Sequence, residues 1–141
     1  MPTPEQNRIR AEKLRMKRMQ ILNTADKIRA FRSEMGYLHR YHITLDQRDR
    51  ILEKQGFKCK ICKKSMLYGY DTDHDHNTGL VRGLLCHKCN DIVGRIENGT
   101  KKTIIDSEMK RKVQDYLSQP PMKLSYVADV KKYMLKKWGI Y

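Results

Sequence analysis

A chain of 141 residues in which 30 Lys and Arg face 16 Asp and Glu carries a formal charge of +14, with a sequence pI near 9.8; one compact domain with an appendage fits that length, and a second independent enzyme does not. So basic a chain favours a polyanionic partner, nucleic acid foremost, although an anionic membrane could also attract it. No run of roughly 18 apolar residues exists to span a membrane, and Met1 to Arg18 carries charges where a signal peptide needs an apolar core, so the protein is expected in the cytoplasm of the cell that makes it.

Residues 5 to 33 interleave Arg8, Arg10, Lys13, Arg15, Lys17, Arg18, Lys27, Arg29 and Arg32 with Ile9, Met16, Met19, Leu22, Ala25, Ile28 and Phe31. This is the pattern of a basic amphipathic helix, the body of an N-terminal arm over residues 1–40. Its apolar positions suit a partner helix, such as one from a second copy, while Arg8, Arg15 and Arg18 are candidates to lie along a DNA backbone. A solvated basic arm is the alternative. Gly36 is expected to end the helix.

Thr44-Leu45-Asp46-Gln47 has the form of a capping box and opens a short helix through Leu52 that stops at Gly56. Asp71 to His76 reads as extended, Asn77-Thr78-Gly79 as a turn and Leu80 to Leu85 as a strand, together a β-hairpin. Asn90 to Ile96 reads as a short helix, against which Gly94 counts. A further helix is expected from Asp106 to Leu117, before Pro120-Pro121, and a last basic amphipathic run from Tyr126 to Trp138. Lys131 and Lys132 in that run are candidate DNA contacts. Tyr126, Tyr133, Trp138 and Tyr141 either stack on bases or, as is commoner at helical spacing, belong to a core. By composition and motif the chain divides into the basic arm at 1–40, a core at 41–100 and a C-terminal helical region at 101–141.

Two knuckles, Cys59-x-x-Cys62 and Cys86-x-x-Cys89, bring four thiolates to one tetrahedral ion, and soft sulfur ligands suit Zn²⁺ in a closed, structural site. A redox dithiol has no use for a second Cys-x-x-Cys. The knuckles stand further apart than the about 15–20 residues of a simple ribbon, so something substantial lies between them. That insert contains Asp73-His74-Asp75-His76, and Asn90 follows the last cysteine. Phosphodiester hydrolysis needs a base to activate water and a cation to neutralise the phosphate and the departing 3′ oxygen. An imidazole suits the first task, and Asp and Asn oxygens suit Mg²⁺ or Mn²⁺ for the second.

Cys-x-x-Cys, then Asp-His-Asp-His, then Thr-Gly-x-Val-Arg-Gly-Leu-Leu-Cys-x-x-Cys-Asn resembles the recombination endonuclease VII family of the HNH, or His-Me finger, nucleases, over about residues 41 to 118. The resemblance implies an α+β protein with a zinc-stapled ββα-metal core flanked by N- and C-terminal helices. It assigns the structural zinc to Cys59, Cys62, Cys86 and Cys89, the catalytic Mg²⁺ to Asp73 and Asn90, and the general base to His74. His76 is expected to contact substrate or orient the scissile phosphate, and Asp75 to hydrogen-bond His74 or cap the turn. Arg82 either clamps a phosphate or pairs with Asp71 or Asp75. The family's phage prototype has an acidic residue three positions after the motif Asn, where this chain has Val93. Strict strand alternation would also point Asp73 and His74 to opposite faces, so a strand end or bulge must re-aim one of them.

The resemblance implies a homodimeric endonuclease that resolves or debranches DNA junctions, since symmetric cutting of a branch needs two active sites, which a two-fold pair supplies; if phage-encoded, it would act in the host cytoplasm. A nicking or homing-type HNH enzyme acting on linear duplex is the alternative. A zinc-ribbon DNA-binding protein without chemistry is a third reading, disfavoured because a binding module does not require Asp73, His74 and Asn90 together.

Overall fold

The computed structural model describes residues 1–21, 24–67, 69–99 and 105–139. Among them the chain forms α1 (Pro4–Ile21), α2 (Thr24–Tyr41), α3 (Leu45–Lys54), β1 (Asp71–His74), β2 (Val81–Leu85), α4 (His87–Glu97), α5 (Ser107–Ser118) and α6 (Val130–Trp138). This is an α+β fold with a ββα core, β1-β2-α4, flanked by helices. By compactness it falls into two units, Met1–Gly36 with Asp129–Tyr141, and Tyr37–Ala128. These limits follow packing, whereas the divisions at 40 and 100 follow composition and motif.

In the first unit the described residues of the N-terminal arm lie in α1 and α2. Ile9, Leu14 and Met16 of α1 are exposed. Gly36 does not end α2, which runs on to Tyr41; burial of Tyr37 and Leu38 outweighs a glycine's helix penalty of about 1 kcal/mol. Asp129 caps α6 by accepting from the Lys132 N–H, so this helix begins later than the expected Tyr126. Glu34, buried on α2, accepts hydrogen bonds from Lys137 Nζ at 2.7 Å, Trp138 Nε1 at 3.0 Å and the Tyr133 hydroxyl at 3.2 Å. A buried carboxylate so satisfied is retained at little cost.

The second unit holds the core. Thr44 and Gln47 form the expected capping box, and the Gln47 amide nitrogen also reaches Ser125 O. Past α3, Gln55 lays its side-chain amide along β2, donating to Leu84 O and accepting from Leu84 N at 2.9 and 3.0 Å. All five residues of β2 are buried, so this strand shows no inside–outside alternation. The hairpin stands between the knuckles as expected, with β1 and β2 antiparallel and Asp71 opposite Leu85, Thr72 opposite Leu84, Asp73 opposite Gly83 and His74 opposite Val81. Arg82 is skipped in that register, a bulge between Asp73 and His74. Tyr126 accepts from Val81 N and donates to Met122 O, which ties the C-terminal segment of this unit to β2.

Candidate active site and metal centre

The first knuckle is shaped by tight backbone: Gly56, Phe57 and Lys63 all have positive φ, the Cys59 N–H donates to Lys64 O and the Lys63 N–H to Cys59 O. The second knuckle opens α4, where Cys86 is the N-cap and its sulfur accepts from the Cys89 N–H at 3.4 Å. The four sulfurs lie within 4.8 Å of one another, and Cys62 Sγ and Cys86 Sγ are 3.8 Å apart. A tetrahedron with Zn–S bonds of about 2.3 Å has edges of about 3.8 Å, so the spacing fits a four-coordinate soft cation. Burial pushes the Cys59 thiol up, but backbone N–H groups outweigh it and the net shift is down. Burial and neighbouring thiols raise Cys86 and Cys89. Thiolates this close repel, and a bound divalent metal relieves that repulsion. The Cys₄ cluster is able to chelate a metal ion.

Beside it a cavity of about 290 Å³ is lined by Thr72, Asp73 and His74 of β1, by His76, by Asn90, Val93, Gly94 and Glu97 of α4, and by Tyr41. The structure therefore brings Asp73, His74, His76 and Asn90 together, and the bulge meets the alternation difficulty by turning the register between Asp73 and His74. His74 and His76 stack with ring centroids 4.8 Å apart and planes 11° from parallel, and Tyr41 meets His74 edge-on at 5.6 Å. Asp75 caps the turn, accepting from the N–H groups of Asn77 and Thr78, which hold its carboxyl below the usual range.

Behind the cavity lies a buried ionic network. Arg82 donates from Nε to Asp73 Oδ2 at 2.8 Å and from Nη2 to Asp73 Oδ1 at 3.0 Å, and Nη2 also reaches Glu97 Oε1 at 2.5 Å. The Tyr116 hydroxyl of α5 donates to Asp73 Oδ2 at 2.5 Å. Burial alone would lower the Arg82 pKa, but the two carboxylates raise it; burial and Asp73 raise that of Tyr116. Lys60, lowered by burial, caps Arg82 O at 2.8 Å, and a Cβ on Gly83 would come within 2.6 Å of its Cδ. The partners of Arg82 are thus Asp73 and Glu97, not the Asp71 or Asp75 considered from sequence.

Residues 34–119 match the family model of recombination endonuclease VII, which is more than half of the chain. The chain belongs to that family. This endonuclease VII relative is 39% identical over 90 residues to the Gene 59 protein of Mycobacterium phage D29, and 40% identical over 93 residues to the Gene 59 protein of Mycobacterium phage L5. Each match covers 62% of this chain and 51% of the other, so the chain spans about half the length of the curated relatives it matches. No solved structure matches it.

Of the other expected residues of this endonuclease VII family member, none of the described ones is among those that line the cavity. Arg8 is exposed on α1, paired with Glu5 at 2.9 Å; Lys131 and Lys132 are exposed on α6. The side chains of Arg15 and Arg18, with Leu22 and Tyr141, lie outside the described residues. Tyr133 and Trp138 hold Glu34 and Tyr126 holds β2, so all three have structural partners. His87 is exposed and bonds Asp71 through Nδ1 at 2.9 Å, and Asp71 also accepts from Asn90 Nδ2 at 3.2 Å. Asp71, Glu97, Tyr116 and Tyr41 were not among the expected site residues. Glu97 had a signal, since it stands two turns after Asn90 on one helix face; Tyr116 and Tyr41 come from other helices and had none.

No helix of the described residues is long and apolar enough to cross a membrane.

Proposed function

We propose that this protein is a DNA endonuclease that hydrolyses phosphodiester bonds, with structural Zn²⁺ on the four cysteines and catalytic Mg²⁺ or Mn²⁺ on Asp73 and Asn90. The observation that carries the reading is the convergence of Asp73, His74, His76 and Asn90 on one cavity beside a cluster able to hold metal. The donor set fits a hard cation: with Arg82 and Tyr116 occupying three of the roughly four lone-pair sites of its carboxylate, Asp73 keeps one for a single-point contact, and Asn90 brings an amide oxygen. Such a cation would neutralise charge on the phosphate and the leaving oxygen. His74 takes the proton of the attacking water as its oxygen bonds to phosphorus, and the bond to the 3′ oxygen breaks, the departing oxygen taking a proton from solvent water, to leave a 5′ phosphate and a 3′ hydroxyl. His76, stacked on His74, holds the base in place and faces the phosphate. Arg82 and Tyr116 position Asp73, while Arg8, Arg15, Arg18, Lys131 and Lys132 supply phosphate contacts outside the cavity.

The substrate is branched DNA, cut by a homodimer. Family membership supports the junction as target, and Ile9, Leu14 and Met16 on α1 are apolar residues that a second copy would cover. The test is to incubate zinc-loaded protein with an end-labelled four-way junction and a sequence-matched duplex, with Mg²⁺ or EDTA, and with His74→Ala in parallel. Paired cuts near the branch, absent with EDTA or His74→Ala, are expected. Equal nicking of both DNAs would make the enzyme a general nickase. Binding without cutting, unchanged in His74→Ala, would leave only a DNA-binding module.

A further inference from the structure

A second cleft, of about 500 Å³, opens next to the first and shares Tyr41, Thr72 and Asn90 with it. Its size lies in the range of small-molecule sites, about 300–1,000 Å³, and its other walls include Tyr37, Arg40, Arg48 and Tyr70. The Arg48 guanidinium lies 5.5 Å from the Tyr37 ring centroid and 5.7 Å from that of Tyr70, and the Arg40 guanidinium 5.8 Å from that of Tyr41. The Tyr37 hydroxyl is hydrogen-bonded to Thr72 Oγ1 at 2.5 Å, which fixes that ring on β1 beside Asp73.

Arginines laid on aromatic faces are pre-organised. The ring sets the plane of the fork, so little side-chain freedom remains to be lost when two parallel N–H groups meet a phosphate. Asp49 takes only part of the Arg48 donor fork, through Nε and Nη2. The one acid lining the cleft, Asp71, is engaged with His87 and Asn90. An arginine-bearing, ring-lined cleft that shares three lining residues with the candidate active-site cavity has the chemistry of a nucleotide subsite, in which cations track the backbone and rings meet sugar and base.

We propose that this cleft holds the nucleotide adjoining the scissile phosphate, its phosphodiester on Arg48 and Arg40 and its sugar and base against Tyr41 and Tyr70. The inference rests on the endonuclease reading, but its test does not depend on turnover. Affinity for a labelled four-way junction is measured by fluorescence anisotropy in EDTA across a salt series, for the zinc-loaded wild type, Arg48→Ala, Arg48→Lys and Arg40→Ala, with metal content and circular dichroism as controls of folding. The junction is also made with a single neutral methylphosphonate linkage, stepped through the positions around the wild-type cut.

Losing one phosphate contact should flatten the slope of log affinity against log salt by about 0.9 in Arg48→Ala and in Arg40→Ala, with Arg48→Lys restoring the slope. One neutral linkage within two nucleotides of the cut should weaken the wild type, and should weaken Arg48→Ala less, because only Arg40 is then left on that phosphodiester. Unchanged slopes, with each neutral linkage penalising wild type and variants alike, would overturn the subsite. If the wild type binds but never cuts, the endonuclease reading fails instead, and the linkages are stepped across the whole junction; a linkage coupled to Arg48 then still places DNA in the cleft.

Discussion

Asp73 is 4% exposed, and its buried carboxylate oxygens are satisfied by Arg82 and the Tyr116 hydroxyl. Removing one partner of such a group leaves the other buried and uncompensated. Arg82→Ala is therefore expected to cost about 4 kcal/mol, and Tyr116→Phe, which keeps the ring and deletes one hydrogen bond to a charged acceptor, about 2 kcal/mol. Urea unfolding of the metal-loaded proteins measures both, and equal midpoints for Tyr116→Phe and wild type would show that Asp73 does not need the phenol. The residues differ in how legible they were. Asp73, His74, His76 and Asn90 stand in a motif whose spacing and chemistry can be read directly. Tyr116 is 43 positions from Asp73 and reaches it only through the packing of α5, which no local pattern announces. Glu97 lies between these cases, readable from helix periodicity once Asn90 is placed.

At the scale of elements, α3 matters through both of its ends. Its capping box satisfies N-terminal N–H groups that would otherwise be orphaned, and Gln55 at its other end pairs with Leu84 on β2. Thr44→Ala should cost about 1 kcal/mol, read as a lower thermal midpoint with unchanged metal content; hydrogen exchange should quicken first in the opening turn of α3. The capping box, the hairpin and its place between the knuckles were all legible because turn and cap residues act locally. The ends of α2 and α6 were not: Gly36 is carried through by burial of the residues after it, and the expected start at Tyr126 gave way to Asp129 because an N-cap bond fixes where a helix begins.

For the molecule as a whole, the cysteine cluster ties the loop after α3 to the N-terminus of α4, and hairpin residues Asp71 to Leu85 lie in the chain between those anchors. Metal binding in such a unit is folding free energy. Stripping the metal with a strong chelator is expected to release about one zinc per chain and to abolish hydrogen-exchange protection of β1, β2 and α4, with recovery on adding zinc. Elemental analysis and exchange mass spectrometry check this, and protection that persists in the stripped protein would mean that the apolar core, with Leu84, Leu85 and Val93 at its centre, suffices alone. The total charge was plain from composition, but the placing of its positive groups was not. Arg82 is spent inside the fold, whereas Arg40 and Arg48 line a cleft.

Gly94 sits mid-helix in α4, on the cavity wall, and a methyl group added there would meet nothing within 4 Å. Alanine at this position should stiffen the helix by about 1 kcal/mol while occupying space at the mouth of the cavity. Gly94→Ala is thus expected to raise the melting temperature and to lower kcat/KM for a bulky substrate. On the endonuclease reading proposed above, the sturdier protein would be the poorer enzyme, and this glycine a point where durability is given up for access.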